Sequence, residues 1–181
     1  GTSHRFVSLA AAEYLGKKPE ELKIITCHLG NGASIAAVDG GKVVDTSMGM
    51  TPLAGLMMGT RSGDIDPSIP GYLMQRTGKS AEEIDAILNK KSGLAGVSGV
   101  SSDKRDLEVA VEAGIKRAIL ASDMFNYDIK KYIGAYAAVM GGVDAVIFTA
   151  GVGENGIGNR ANIVKGLEFM GIKMDAEKNK V

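Results

Sequence analysis

Residues 24–67 read IITCHLGNGASIAAVDGGKVVDTSMGMTPLAGLMMGTRSGDIDP. Apolar and β-branched residues predict a buried strand over 23–29, and two further strands over 34–38 and 42–46. Asp39-Gly40-Gly41 joins the last two as a tight hairpin, because glycines reach the positive φ that such turns demand. Mostly helical sequence follows, then one further buried strand over 143–150 and a last helix. That order predicts an α/β fold with a mixed sheet flanked by helices. Gly30, Gly32, Gly40, Gly41, Gly49, Gly55, Gly59, Gly63 and, just beyond, Gly71 are more glycines than a hairpin requires. Such density suits backbone held close to a ligand. It falls at strand ends, where α/β folds place phosphates.

The chain has 181 residues, with 21 Lys plus Arg against 21 Asp plus Glu. A globule of that length buries about 70% of its unfolded surface and needs no disulfide or metal staple. Balanced charge argues against nucleic acid or anionic membrane as a partner, since neither is attracted at long range. Cys27, the one cysteine, lies in an apolar run and predicts a buried free thiol in a reducing compartment. No apolar run reaches the roughly 18 residues that span a bilayer and no secretory signal opens the chain, so a cytoplasmic location is expected. The chain starts at Gly1 without Met and stops in the charged stretch DAEKNKV, so either end is read as a cut through a longer protein.

Phe6, Leu9, Ala10, Ala12 and Leu15 predict a helix with an apolar stripe, ended by Gly16. Asp66-Pro67 looks like a cap with proline at the first helical position, the helix running toward Gly78. Ser80-Ala81-Glu82-Glu83 is a capping box opening a helix that ends near Lys91. Residues 94–103, LAGVSGVSSD, read as irregular. Over 107–140 apolar residues recur at helical spacing, with Gly114 dividing a short helix from a long one. A final helix is expected over 159–170, and Met48, Met50, Met57 and Met58 read as core filler.

Five places carry groups with chemical potential. His28, Leu29, Gly30, Asn31 and Gly32 make a strand-to-strand turn whose amides can cradle phosphate oxygens, although a bulged glycine hairpin fits the residues equally. It is neither a P-loop nor a dinucleotide fingerprint, because no G-K-[ST] follows and the next element is a strand. Gly151, Val152, Gly153, Glu154 and Asn155 repeat the pattern after the last strand, where a plain strand-to-helix turn is the simpler reading. Two such turns at strand ends point to one shared ligand. Arg61, in GTRSGD, offers a planar fork suited to phosphate, against the competing reading of a salt bridge to Asp64 or Asp66. Asp103, Lys104 and Arg105 read as a helix cap with solvated charges, and His4 reads as a surface histidine.

Taken in order, GTSHR at 1–5, HLGNGAS at 28–34, DTSMGMTPLAGLMMGTRSGDIDP at 45–67, SSDKRD at 101–106 and FTAGVGEN at 148–155 resemble the acetate kinase (acetokinase) family over essentially the whole chain. The resemblance implies the ribonuclease-H-like fold of the actin, sugar-kinase and chaperone-ATPase superfamily. Residues 1–181 would form a single nucleotide-binding domain of a longer two-domain kinase. The implied reaction is phosphoryl transfer between ATP and acetate, giving ADP and acetyl phosphate, with propionate kinase the close rival. A homodimer is implied, as is magnesium with its ligands outside this chain. By resemblance, His28, Leu29, Gly30, Asn31 and Gly32 contact the ATP phosphates, and Asp103, Lys104 and Arg105 lie by the adenosine. Gly151, Val152, Gly153, Glu154 and Asn155 complete the pocket. His4 and Arg61 become the pair that stabilises the transferring phosphoryl group, which replaces the surface reading of His4. Tyr127, Tyr132 and Tyr136 fall in the domain that pairs. The family's first domain, with its phosphate loop, carboxylate-binding arginine and catalytic aspartate, has no counterpart in these residues. The resemblance therefore implies half an active site, with a non-catalytic nucleotide-binding or dimerising module as the alternative for the chain alone.

Overall fold

The computed structural model describes residues 1–180. In chain order the elements are α1 (Thr2–Tyr14), β1 (Lys23–Leu29), β2 (Ala33–Asp39), β3 (Lys42–Thr46), α2 (Ile69–Thr77), α3 (Ala81–Lys90) and α4 (Gly93–Ser98). They continue with α5 (Lys104–Glu112), α6 (Lys116–Met140), β4 (Ala145–Thr149), α7 (Ala150–Asn155) and α8 (Ile157–Val164). Two compact units result: Gly1–Ser47 with the segment from Asn126 onward, and Met48–Phe125.

The first unit holds the sheet. β1 and β2 pair antiparallel from Lys23↔Asp39 to Leu29↔Ala33, β3 continues the meander, and β4 joins the other side of β1 in parallel from Ile24↔Ala145 to His28↔Thr149. The strand order β3-β2-β1-β4 is the mixed, ribonuclease-H-like arrangement the resemblance implied. Gly40 and Gly41 close the β2–β3 hairpin at φ of 56° and 76°, the left-handed pair the turn requires. Alternation along β1 sends Ile25, Cys27 and Leu29 to one face, where all three are fully buried. Ile24, Thr26 and His28 go to the other, which α1 covers. At the start of β1 this interface is dry, with Ala12, Leu22, Ile24 and Val38 packed together and Ala11, Ala145 and Ile147 against them.

Toward the end of β1 the same interface turns polar, and this overturns the expected stripe on α1. Of that stripe Ala12 is buried, but the helix joins it with His4 and Ser8, one residue per turn, while Phe6 stays 71% exposed and Leu9 46%. The helix face is chosen by the strand face it covers. β4, expected to be buried, is half-buried along its length and stands at the end of the sheet.

The second unit shows which local signals suffice. Ser80 and Glu83 exchange their capping-box bonds at 3.3 and 2.9 Å, and Gly78 ends α2 at φ 69°. Gly114, at φ 76°, separates α5 from α6 as expected. α2 starts at Ile69 rather than Pro67, because Asp66 Oδ1 accepts from Ser68 N–H at 2.8 Å and makes a turn ahead of the helix. Residues expected to be irregular form α4, whose first amides, Leu94 and Ala95, donate to the Met58 and Gly59 carbonyls. Met57 and Met58 are buried, but Met50 is fully exposed. Back in the first unit, α8 stops at Val164, short of the expected 170, and Gly166 at φ 85° turns the chain into a 3-10 turn over Glu168–Met170. Among the described residues, no helix is long and apolar enough to cross a membrane.

Candidate functional site

The polar end of the α1–sheet interface gathers two histidines and three hydroxyls. His4 Nδ1 meets Thr26 Oγ1 at 2.6 Å and His4 Nε2 meets Ser34 Oγ at 2.8 Å. Ser3 Oγ meets His28 Nδ1 at 2.8 Å, and the two imidazoles stand edge to face with centroids 6.2 Å apart. Strand register explains the gathering. Thr26 and His28 share a face of β1, and Ser34 is paired with His28 across on β2. Burial above all, with His28 nearby, lowers the His4 pKa from 6.5 to about 4. His4 is therefore a neutral ring with one N–H to offer, not a cation, at pH 7. A histidine depressed in the folded state binds fewer protons than in the unfolded chain. Its contribution to stability is complete above pH 6.5 and is lost as pH falls toward about 4. An NMR titration should show the His4 ring carbons without an inflection between about pH 8 and pH 5.5. An inflection near the ordinary histidine value would contradict the buried geometry.

Two glycine turns meet beside this patch. Because β1 and β4 run parallel, with His28 opposite Thr149, their following turns leave the same end of the sheet. A Cβ on Gly30 would lie 3.8 Å from both Ala150 Cβ and His28 Nε2. The turn at 28–32 is closed by Gly30 N–H donating to the Gly32 carbonyl at 3.2 Å. In the second turn Ala150, at φ 66°, is the one non-glycine residue in the left-handed region among the described residues. Such strain needs support from its surroundings. Glu154 gives it: Oε1 accepts from Ala150 N–H at 3.0 Å and from Thr149 Oγ1–H at 3.1 Å. Asn155 Nδ2 likewise donates to the Gly151 carbonyl at 2.9 Å. The two glycines differ in purpose. Gly153 packs where a Cβ would sit 3.1 Å from the Phe148 carbonyl carbon, while Gly151 faces open space and leaves its backbone accessible.

The second unit carries the remaining candidates. Backbone bonds fix the Arg61 loop: Ser62 N–H to Leu88 O, Ser92 N–H to Thr60 O, Ala95 N–H to Gly59 O and Met58 N–H to Arg61 O. The guanidinium itself is loosely held, with NH1 3.5 Å from Pro52 O and 3.6 Å from Met58 Sδ. Asp64 accepts from Gly55 N–H at 2.7 Å and Asp66 Oδ1 from Ser68 N–H at 2.8 Å, each holding its own turn, while the hydrogen bonds that the guanidinium itself makes are the two long ones to Pro52 and Met58. Asp103 caps α5 and grips Arg105, whose hydrogen bonds bring the Asp103 carboxyl down to about 2. Arg105 is otherwise open to solvent. Lys104 turns inward, its Nζ donating to Ser122 Oγ at 2.8 Å and lying 5.5 Å from the Phe125 ring centre, and its pKa is lowered by burial.

Thus the first unit brings together His4, His28, the 28–32 turn and the 150–155 turn, while Arg61, Asp103, Lys104 and Arg105 belong to the second. Sequence reading missed Ser3, Thr26 and Ser34, although a threonine within IITCHL was a signal once strand faces are counted. It also missed Arg160, whose buried guanidinium donates to the Gly153 and Glu154 carbonyls and to Asn179. That clamp holds the second turn from below.

Profile comparison matches the family described as the acetokinase family across residues 1–181. The chain belongs to the acetokinase family. The acetate kinase of Staphylococcus carnosus is 65% identical over 179 residues, which are 99% of this chain and 45% of that protein. This acetokinase chain thus spans a little under half the length of the curated relatives it matches. Among solved structures, the acetate kinase of Porphyromonas gingivalis superposes with a TM-score of 0.98 at 56% identity, over 99% of this chain and 45% of that one. A propionate kinase from Francisella tularensis superposes at 0.94 with 44% identity, over 99% of this acetokinase chain and 46% of its own.

Proposed function

We propose that this chain is the nucleotide-holding half of a longer two-domain kinase that interconverts ATP plus acetate with ADP plus acetyl phosphate. The observation that carries the reading is the meeting of two glycine turns at the ends of β1 and β4, beside the His4–His28 patch. Backbone amides of Asn31 and Gly32 would take phosphate oxygens, with Gly30 N–H holding the turn shut on the Gly32 carbonyl, and the open backbone at Gly151 would take the remainder of the nucleotide. Asp103, Lys104 and Arg105 are read as the adenosine side. Glu154 is committed to its own turn, so its part is to hold that turn rather than to grip a sugar. His4, as a neutral N–H donor, and Arg61, as a cation, would stabilise charge spread over the equatorial oxygens of the phosphoryl group in flight.

Magnesium belongs to such a reaction, where it neutralises phosphate charge. Among the described residues, no group of three His, Cys, Asp or Glu side chains could hold it, so no step is assigned to the ion here. The homodimer is part of the same proposal. Of the three tyrosines on α6, Tyr136 is buried and stacks edge to face on Tyr132, and Tyr127 is the exposed one at 69%. Similarity to the Francisella tularensis protein keeps propionate as the second acyl group.

Isothermal titration of this chain with ADP should give micromolar binding, and incubation of the chain with ATP and acetate should form no acyl phosphate. No heat up to about millimolar ADP, beyond the weak end of nucleotide affinity, would overturn its assignment as the nucleotide-holding half.

A further inference from the structure

The geometry points to Thr26 as a positioning residue for His4: its hydroxyl orients the imidazole and follows its tautomer, so that Nε2, shared here with Ser34, can donate to a phosphoryl oxygen. This rests on the role given to His4 above. Thr26 is fully buried in the middle of β1, between apolar neighbours, where valine would fill the same volume. Shape therefore does not account for its hydroxyl.

That hydroxyl has two partners, His4 Nδ1 at 2.6 Å and the Ala36 carbonyl oxygen at 3.4 Å. A carbonyl only accepts. When the hydroxyl donates to Ala36, its oxygen accepts from Nδ1–H, and Nε2 then accepts the Ser34 hydroxyl proton. When the hydroxyl turns to donate to Nδ1, the ring proton sits on Nε2 and is offered to Ser34 Oγ, 2.8 Å away, or to an oxyanion in its place. In both states Nδ1 keeps a partner within the buried interface, which a buried ring nitrogen requires. Burial also keeps the ring neutral, so this two-way hydroxyl is the means by which a neutral imidazole presents its N–H outward.

The test uses the intact kinase carrying this chain, ¹⁵N-labelled at histidine. Thr26→Val should move the His4 ring nitrogen shifts and lower kcat about tenfold, the weight of one such partner, with KM for ATP within about twofold. Thr26→Ser should restore both. A role in packing alone would lower stability yet leave those shifts in place. Unchanged shifts and kcat in Thr26→Val would overturn the inference. Should that variant fail to fold, Ser34→Ala decides: in whichever tautomer the ring then takes, Nδ1 must show the shift of a hydrogen-bonded nitrogen, because Thr26 still holds it, and an Nδ1 shift typical of a nitrogen without a partner would overturn the assignment. Near-normal kcat in His4→Ala would sink the phosphoryl role of His4 while leaving the tautomer result standing. An inactive His4→Ala beside an unaffected Thr26→Val would sink only the part given to Thr26.

Discussion

Arg61→Ala in the intact kinase is expected to lower kcat by on the order of 10³-fold or more, with little change in KM for either substrate. The loop makes this a clean experiment. Its shape is fixed by backbone bonds to Leu88, Ser92, Ala95 and Met58, and none of them involves the side chain. The guanidinium's contacts at 3.5 and 3.6 Å are too long to contribute much to stability, so truncation should leave the fold within about 0.5 kcal/mol of wild type. A charged fork on a loop fixed by backbone bonds, its own contacts long, suits a ligand that brings its own negative charge. Lysine would keep the charge and lose the planar, two-pronged donor, so Arg61→Lys should recover only a small part of the rate. Steady-state kinetics with both substrates varied, alongside thermal unfolding, separates the outcomes. Near-normal kcat in Arg61→Ala would remove the arginine from the transition state.

How much of this was legible in the sequence depended on the range over which each residue acts. Gly40-Gly41, Gly78, Gly114 and the Ser80–Glu83 box were readable because each satisfies a local backbone demand. The glycine turns at 30–32 and 151–153 were readable as places of backbone freedom. Which glycine served packing and which lay open was not, since that depends on Phe148 beneath Gly153. The buried face of α1 was misread for a related reason. Hydrophobic spacing selected Phe6 and Leu9, but the strand face beneath the helix is half polar, and His4 with Ser8 matches it. The hydroxyls around His4 become visible only when the β1–β2 register is known, because Thr26 and Ser34 are separated in sequence and joined by pairing. Arg160 was silent altogether: its acceptors are main-chain carbonyls and Asn179, none of which has a sequence signature.

The same dependence on tertiary context sets a large expected stability effect at Gly93. It stands at φ 62°, which costs a side-chain-bearing residue about 1–2 kcal/mol. Space adds a second cost. A Cβ there would run into the Met58 carbonyl oxygen and lie 2.7 Å from that of Arg61. Neither oxygen can retreat freely, since Met58 O accepts from Leu94 N–H at 2.8 Å and Arg61 O from Met58 N–H at 3.1 Å. Overpacking against fixed backbone costs about 1–3 kcal/mol, so Gly93→Ala should lose roughly 2–5 kcal/mol in all. Gly78 is the matched control, with φ of 69° and nothing within 4 Å of where a methyl would sit, so Gly78→Ala should lose only about 1 kcal/mol. Urea unfolding of both variants in the intact kinase measures the difference, and equal midpoints would refute the steric part. The loss at Gly93 should also reach catalysis. The oxygens it would displace belong to the segment that carries Arg61, so a folded fraction of Gly93→Ala at low temperature should lose kcat while Gly78→Ala keeps it.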